Sequence, residues 1–196
     1  MSPPLKRREV VKALLEKRQG LLVVAGLGST AWDCTAAGDS PLNFPLWGAM
    51  GSAAMLGLGL ALAQPARRVL VVTGDGEMLM GLGALATIGV QKPRNLSIAV
   101  IDNERYGETG MQATHTARGV DLAAVAQACG FARAMQVREP GELAPLRAAV
   151  HAGPGPLFAQ IKVAVEKLPL VLPPREGSLL KGRFRRALLG EGGDLD

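Results

Sequence analysis

Residues 69–103 read VLVVTGDGEMLMGLGALATIGVQKPRNLSIAVIDN. Two uncharged aliphatic runs, Val69–Thr73 and Leu96–Ile101, flank a stretch with helical apolar spacing, Met78–Val90. Lys92-Pro93 ends that helix, because proline pushes the residue before it toward extended backbone. Unbroken apolar runs predict strands covered on both faces, as in a parallel sheet. Strand, helix and returning strand then form one right-handed crossover. Each strand runs into a polar turn, Gly74-Asp75-Gly76 after the first and Asp102-Asn103 after the second. The 26 residues between Gly76 and Asn103 suit such a crossover, so Asp75 and Asn103 are expected at one sheet edge.

The same alternation extends outward. Upstream come an amphipathic helix over Lys6–Arg18, a strand at Leu21–Ala25, a loop from Gly26 to Pro45 and an uncharged helix over Leu46–Ala63. Downstream come a polar loop over Asn103–Gly119, a helix capped by Asp121 and reaching Cys129, a strand at 132–137, a helix over Pro140–Ala152 and a strand at Leu157–Val163. Residues 169–196 read as a tail ending in a short basic helix. The fold class is α/β, a doubly wound, mostly parallel sheet with helices on both faces. Ligands in such sheets bind beyond the carboxyl ends of the strands. The loops after Ala25, Thr73 and Ile101 are therefore the candidate site.

Composition narrows the function. The chain has 196 residues, enough for one good core. Two cysteines rule out a disulfide scaffold and suit a reducing, cytoplasmic location. Two histidines and no Cys-x-x-Cys leave no zinc site. The net charge of +5 gathers at the two ends, with no interleaved aromatics, so it reads as solvated faces or a subunit contact and predicts no nucleic-acid partner. Leu46–Ala63 carries no charge, but its four glycines and its place inside the alternation predict a buried helix and no membrane span.

The turns carry chemistry. Glycines at 74 and 76 let backbone amides approach an anion, while Asp75 between them calls for a cation there. Magnesium, which takes oxygen ligands and bridges carboxylate to phosphate, suits that place. A tight turn with Asp75 as a helix cap is the plainer alternative. Gly26-Leu27-Gly28-Ser29-Thr30-Ala31 spells a dinucleotide fingerprint, yet no acid follows about twenty residues on. A glycine loop whose Ser29 hydroxyl meets a phosphate is the better use.

Residues 74–110, GDG followed at this distance by an asparagine and then x-x-Tyr-Gly, resemble the diphosphate-binding domain of thiamine diphosphate enzymes. The GLG loop, the G-x-M-G segment around Met50, "LATIG" after GDG and the run Gly110-Met111-Gln112-Ala113-Thr114 are most similar to sulfopyruvate and phosphonopyruvate decarboxylases. The resemblance covers about Leu21 to Val163. It implies one diphosphate-binding domain over 1–168, with an N-terminal helix, followed by the tail over 169–196. It implies thiamine diphosphate and Mg2+ as cofactors. Asp75, Asn103 and the Arg105 carbonyl would ligate the metal. Gly28, Ser29, Gly74, the Gly76 and Glu77 amides and the Gly107–Glu108 backbone would meet the diphosphate. The Gly48 carbonyl would meet the aminopyrimidine, and Met50 would wedge the cofactor into its bent form, ordinary core packing being the alternative.

The resemblance further implies that the cofactor lies between two domains, the other supplying an activating glutamate. A pyrimidine-binding alpha subunit of similar size, in a hetero-oligomer, is therefore expected. The expected reaction is decarboxylation of a small anionic 2-oxo acid such as sulfopyruvate or phosphonopyruvate. Glu108, Gln112 and His115 are candidates to face that substrate, with a solvated loop histidine as the alternative at 115. A carboligase, an oxidative decarboxylase and a non-catalytic nucleotide-binding subunit are the other classes left open. Two residues depart from the pattern. Glu77 stands where relatives carry a small residue and should point away or meet a cation, and Asp102 replaces the first of two asparagines.

Overall fold

A computed structural model describes residues 3–190; the first two residues of the predicted domain and the last six of the predicted tail lie outside the described residues. Among the described residues one parallel sheet holds β1 (Leu22–Ala25), β2 (Asn43–Pro45), β3 (Val69–Gly74), β4 (Leu96–Asp102), β7 (Arg133–Val137) and β8 (Leu157–Lys162). A small antiparallel hairpin, β5 (Arg105–Tyr106) with β6 (Gln112–Ala113), projects from the loop after β4. The order across the sheet is β2-β1-β3-β4-β8-β7, with every neighbouring pair parallel. This is the predicted α/β sheet.

Alternation along the strands builds two cores. Leu22, Val24, Val69 and Val71 face one side, where α3 (Ala53–Ala63), α5 (Ala84–Gln91) and α6 (Leu122–Ala128) pack. Val23, Ala25, Leu70 and Val72 face the other, under α1 (Arg7–Leu15), α2 (Ser29–Ala36) and α7 (Leu143–Ala152). Successive residues of a strand point to opposite faces, so nearly all-apolar strands are what a two-faced core requires. From β1 the chain crosses by α2 to β2 on one flank, then returns by α3 to β3 on the other. The strand order therefore switches between the carboxyl ends of β1 and β3, which opens a crevice there.

Several predicted elements are redrawn. The predicted loop over Gly26–Pro45 contains both α2 and β2. Helix α2 is held by an ion pair that no periodicity reveals: buried Asp33 accepts from Arg7 and, at 2.9 Å, from Nε of Arg8, both from the N-terminal helix. The predicted helix over Leu46–Ala63 begins only at Ala53, because Gly51 takes the left-handed region at φ +82°. The predicted helix over Met78–Val90 is two, α4 (Asp75–Met80) and α5, broken at Gly81-Leu82-Gly83. The N-terminal helix stops at Leu15, with Lys17 left-handed at φ +54°. The helix predicted from Pro140 begins as a 3-10 turn over Pro140–Glu142 before α7. Asp121 caps α6 as expected, accepting from the Ala124 amide at 2.9 Å.

The tail does not trail away. Residues 177–189 form α8 (Gly177–Leu189), whose Leu180 and Phe184 are buried. Phe184 meets Phe44 edge to face with ring centroids 5.3 Å apart, and Arg183 holds Asp39 through two bonds of 2.6 and 2.9 Å. Among the described residues no helix is long and apolar enough to cross a membrane.

Candidate functional site

A pocket opens at the carboxyl ends of β1, β3 and β4. Of the residues singled out in the sequence, Ser29, Met50, Gly74, Asp75, Gly76, Glu77, Asn103, Arg105, Gly107 and Glu108 line it. Gly28 lies in the same loop with φ +72°, and a side chain there would run into the Glu108 carboxylate. Gly48 is exposed two residues before Met50 and is not among the lining residues. Gln112 and His115 are exposed outside the pocket, the Gln112 amide bonded at 2.9 Å to both the hydroxyl and the carbonyl of Thr109. Arg7 lines the pocket without having been singled out, and so does Tyr106, which entered only as the tyrosine of the motif. Tyr106 closes over Gly76, where an added Cβ would sit 2.6 Å from its ring.

The register of β3 on β4 sets the heart of the site. Gly74 lies opposite Ile101, so the chain leaves both strands together and delivers Asp75 and Asn103 to one edge. Asp75 is almost fully buried, and its Oδ2 accepts from the Thr114 hydroxyl at 2.6 Å. The Thr116 hydroxyl lies 2.9 Å from that of Thr114 and donates to Asp102 Oδ1 at 2.8 Å. Burial raises the Asp75 pKa to about 6; the Thr114 hydrogen bond opposes the rise and the charge on Asp102 adds to it.

Asp102 is fully buried, yet well satisfied. It accepts from Gln160 Nε2 at 2.6 Å, Lys162 Nζ at 2.9 Å and the Glu104 amide at 3.0 Å. Lys162 also meets Glu104 at 2.5 Å. Burial acts to lower the Lys162 pKa, but hydrogen bonds to Glu104 and Asp102 outweigh it and leave the pKa raised. The carboxylate that stands in place of an asparagine is thus matched by a cation from the next strand.

Glu77 turns inward rather than meeting a cation. Its carboxylate accepts from the Thr73 hydroxyl at 2.8 Å and the Leu27 amide at 3.1 Å. Burial raises its pKa, against the Thr73 hydroxyl and the Leu27 amide. One side chain therefore ties the loop that leads into Ser29 to the end of β3. Arg7, buried beside Asp33, also donates to the Ser29 carbonyl at 3.3 Å and holds that loop from below. No sequence motif signals either anchor, since both depend on residues far apart in the chain.

The donor set suits a hard divalent cation carrying a diphosphate. Asp75 and Asn103 offer oxygens, and Asn103 Oδ1, which accepts from the Arg105 amide at 3.0 Å, keeps a second lone pair. A Cβ at Gly74 or Gly107 would enter open space, so both glycines leave bare backbone at the pocket wall.

Comparison with known proteins agrees. Residues 28–161 match the family described as thiamine pyrophosphate enzyme, C-terminal TPP binding domain. The chain belongs to that family. This thiamine diphosphate domain is 43% identical over 127 residues to the sulfopyruvate decarboxylase subunit beta of Methanothermobacter thermautotrophicus, covering 65% of the chain and 68% of that protein. It is 38% identical over 160 residues to the phosphonopyruvate decarboxylase of Streptomyces viridochromogenes, covering 82% of the chain and 40% of that protein. The fold matches the crystal structure of benzoylformate decarboxylase from Polynucleobacter necessarius with a TM-score of 0.70 at 21% identity, over 86% of the chain and 35% of that one. The family's cofactor is thiamine diphosphate, carried with Mg2+.

Proposed function

We propose that this chain is the diphosphate- and magnesium-binding subunit of a two-subunit decarboxylase acting on a small anionic 2-oxo acid of the sulfopyruvate or phosphonopyruvate type. The observation that carries this reading is the delivery of Asp75 and Asn103 to one pocket edge by the β3–β4 register. Asp75, Asn103 and the Arg105 carbonyl hold the cation. Ser29, the amides of Gly76 and Glu77 and the backbone at Gly107–Glu108 hold the diphosphate. The Gly48 carbonyl and Met50 orient the organic part. Met50 is 38% exposed at the pocket edge, as a wedge awaiting a ligand would be. Bound thiamine diphosphate supplies the electron sink for loss of carbon dioxide. The chain's own residues position it, exclude water and neutralise the diphosphate through the held cation. An alpha subunit contributes the activating glutamate, and Glu108, exposed on the pocket wall, is the candidate to face the substrate. Two cysteines, both free, suit a cytoplasmic setting.

The test is direct. The chain is captured from its own cell extract, its partner is identified by native mass spectrometry, and the complex is titrated with thiamine diphosphate with and without Mg2+. Saturable, Mg2+-dependent uptake and release of carbon dioxide from sulfopyruvate or phosphonopyruvate are expected. Uptake without decarboxylation of either acid would reject the substrate class, and no uptake would reject the site.

A further inference from the structure

Beyond the ligand residues, one buried polar row has no assigned role. Thr114 and Thr116 are buried, although they lie in an otherwise exposed stretch around Gln112, His115 and Arg118. Their hydroxyls span from Asp75 on one strand end to Asp102 on the next, through separations of 2.6, 2.9 and 2.8 Å. The Thr114 amide also bonds the Glu104 carbonyl at 3.0 Å, closing the neck of the loop that carries the β5–β6 hairpin. Asp102 is itself anchored in the sheet by Gln160 and Lys162. An unbroken hydrogen-bonded path thus runs from β8 through Asp102 and the two threonines to Asp75.

We infer that Thr114 and Thr116 are positioning residues, which latch the 104–118 loop to the sheet and fix the Asp75 carboxylate in the orientation that takes the cation. The inference rests on the proposed cofactor role of this pocket. The two hydroxyls meet Oδ2 of Asp75 and so hold its carboxylate in one orientation, in which it would take the cation. Side-chain hydrogen bonds fix rotamers that a lone buried carboxylate would otherwise sample, and ordered outer partners raise metal affinity by such pre-orientation. The same bonds hold Arg105, Tyr106, Gly107 and Glu108 over the pocket, because those residues sit on the loop that Thr114 closes. Cation site and loop are therefore ordered by one pair of side chains.

Valine has threonine's shape without the hydroxyl, so Thr114→Val and Thr116→Val remove the latch and little else. Two readouts are needed on each variant and on Thr114→Ser and Thr116→Ser. The first is amide hydrogen exchange of residues 104–118 in the chain without cofactor. The second is the Mg2+ concentration at half-saturation for thiamine diphosphate uptake, by calorimetry. The valine variants should exchange faster in that loop alone and need at least about tenfold more Mg2+, while the serine variants stay near wild type. Where a valine variant does not fold, the alanine variant replaces it under the same criteria. Unchanged exchange together with unchanged Mg2+ demand in the valine variants overturns the inference. So does a loss spread over the whole sheet that serine fails to rescue. If wild type takes up no cofactor at any Mg2+ concentration, the cofactor reading and the positioning of Asp75 both fall. In that case faster exchange confined to the loop still supports the latch, and unchanged exchange overturns it.

Discussion

Asp75 serves the site at the expense of the fold. Burial favours its neutral form, which raises its pKa from 3.8 to about 6. In the cation-free chain this group therefore stabilises the fold fully below about pH 4, and that contribution is lost as the pH climbs through about 6. The loss is on the order of 2–3 kcal/mol from the size of the shift. Asp75→Asn should consequently raise the melting temperature of the cation-free chain at pH 7.5 by about 4–12 °C, and the gap should close toward pH 4. The same variant should lose Mg2+-dependent uptake of thiamine diphosphate. Melting curves across pH 4–8 check this, and a lower melting point for Asp75→Asn at pH 7.5 would reject it. Gly76→Ala makes a second test at this scale. Its Cβ would press on the Tyr106 ring at 2.6 Å, so uptake should fall at least about tenfold as the ring shifts from its place over the pocket. Asp75 and Asn103 were legible because a crossover of fixed length separates them. Thr114, Thr116 and the inward turn of Glu77 were not, since their partners come from other strands.

Elements were legible where apolar period and length agreed. Strands β1, β3, β4, β7 and β8 fit that description, and their ends shift by only a residue, whereas the short β2, β5 and β6 lay inside predicted loops. Helices failed where glycines serve close approach instead of helix ends. Gly81 interrupts the predicted helix over 78–90, and a Cβ there would land on the Gly51 carbonyl. The break between α4 and α5 thus lets the loop of Met50 settle against the end of α4. Gly81→Ala should push that loop outward and leave the sheet intact. The expected result is unchanged far-UV circular dichroism, a modest fall in melting temperature and a clear loss of thiamine diphosphate affinity. Retained affinity would mean that the loop bearing Met50 takes no part in binding. Helix α2 was hidden for another reason. Its sequence, STAWDCTA, carries buried Asp33, a residue that counts against a core-facing helix until Arg7 and Arg8 supply the counter-charge.

At the scale of the whole molecule, alternation of strand and helix implied a two-faced parallel sheet, and the motifs after Ala25, Thr73 and Ile101 flank its switch in strand order. The last segment obeys a different logic. A basic helix after a proline-containing tail looks solvated in sequence, because only two of its side chains, Leu180 and Phe184, are buried. Those two dock beside β2, the edge strand next to β1, and Phe184 joins the core that packs α3 on the sheet. Removing a buried phenylalanine costs about 3–5 kcal/mol where the gap cannot collapse, and less at an edge. Phe184→Ala should thus lower stability by about 2–3 kcal/mol, a fall of about 4–12 °C in melting temperature. Arg183→Ala, which breaks the exposed pair with Asp39, should cost under about 1 kcal/mol. Denaturant unfolding of both variants separates a packed cap from a loosely attached tail. Equal, small losses would mean that α8 contributes nothing to the core, whereas the expected inequality makes it the clamp on the β2 edge, on the flank that carries Trp47 and its bond to the Pro174 carbonyl.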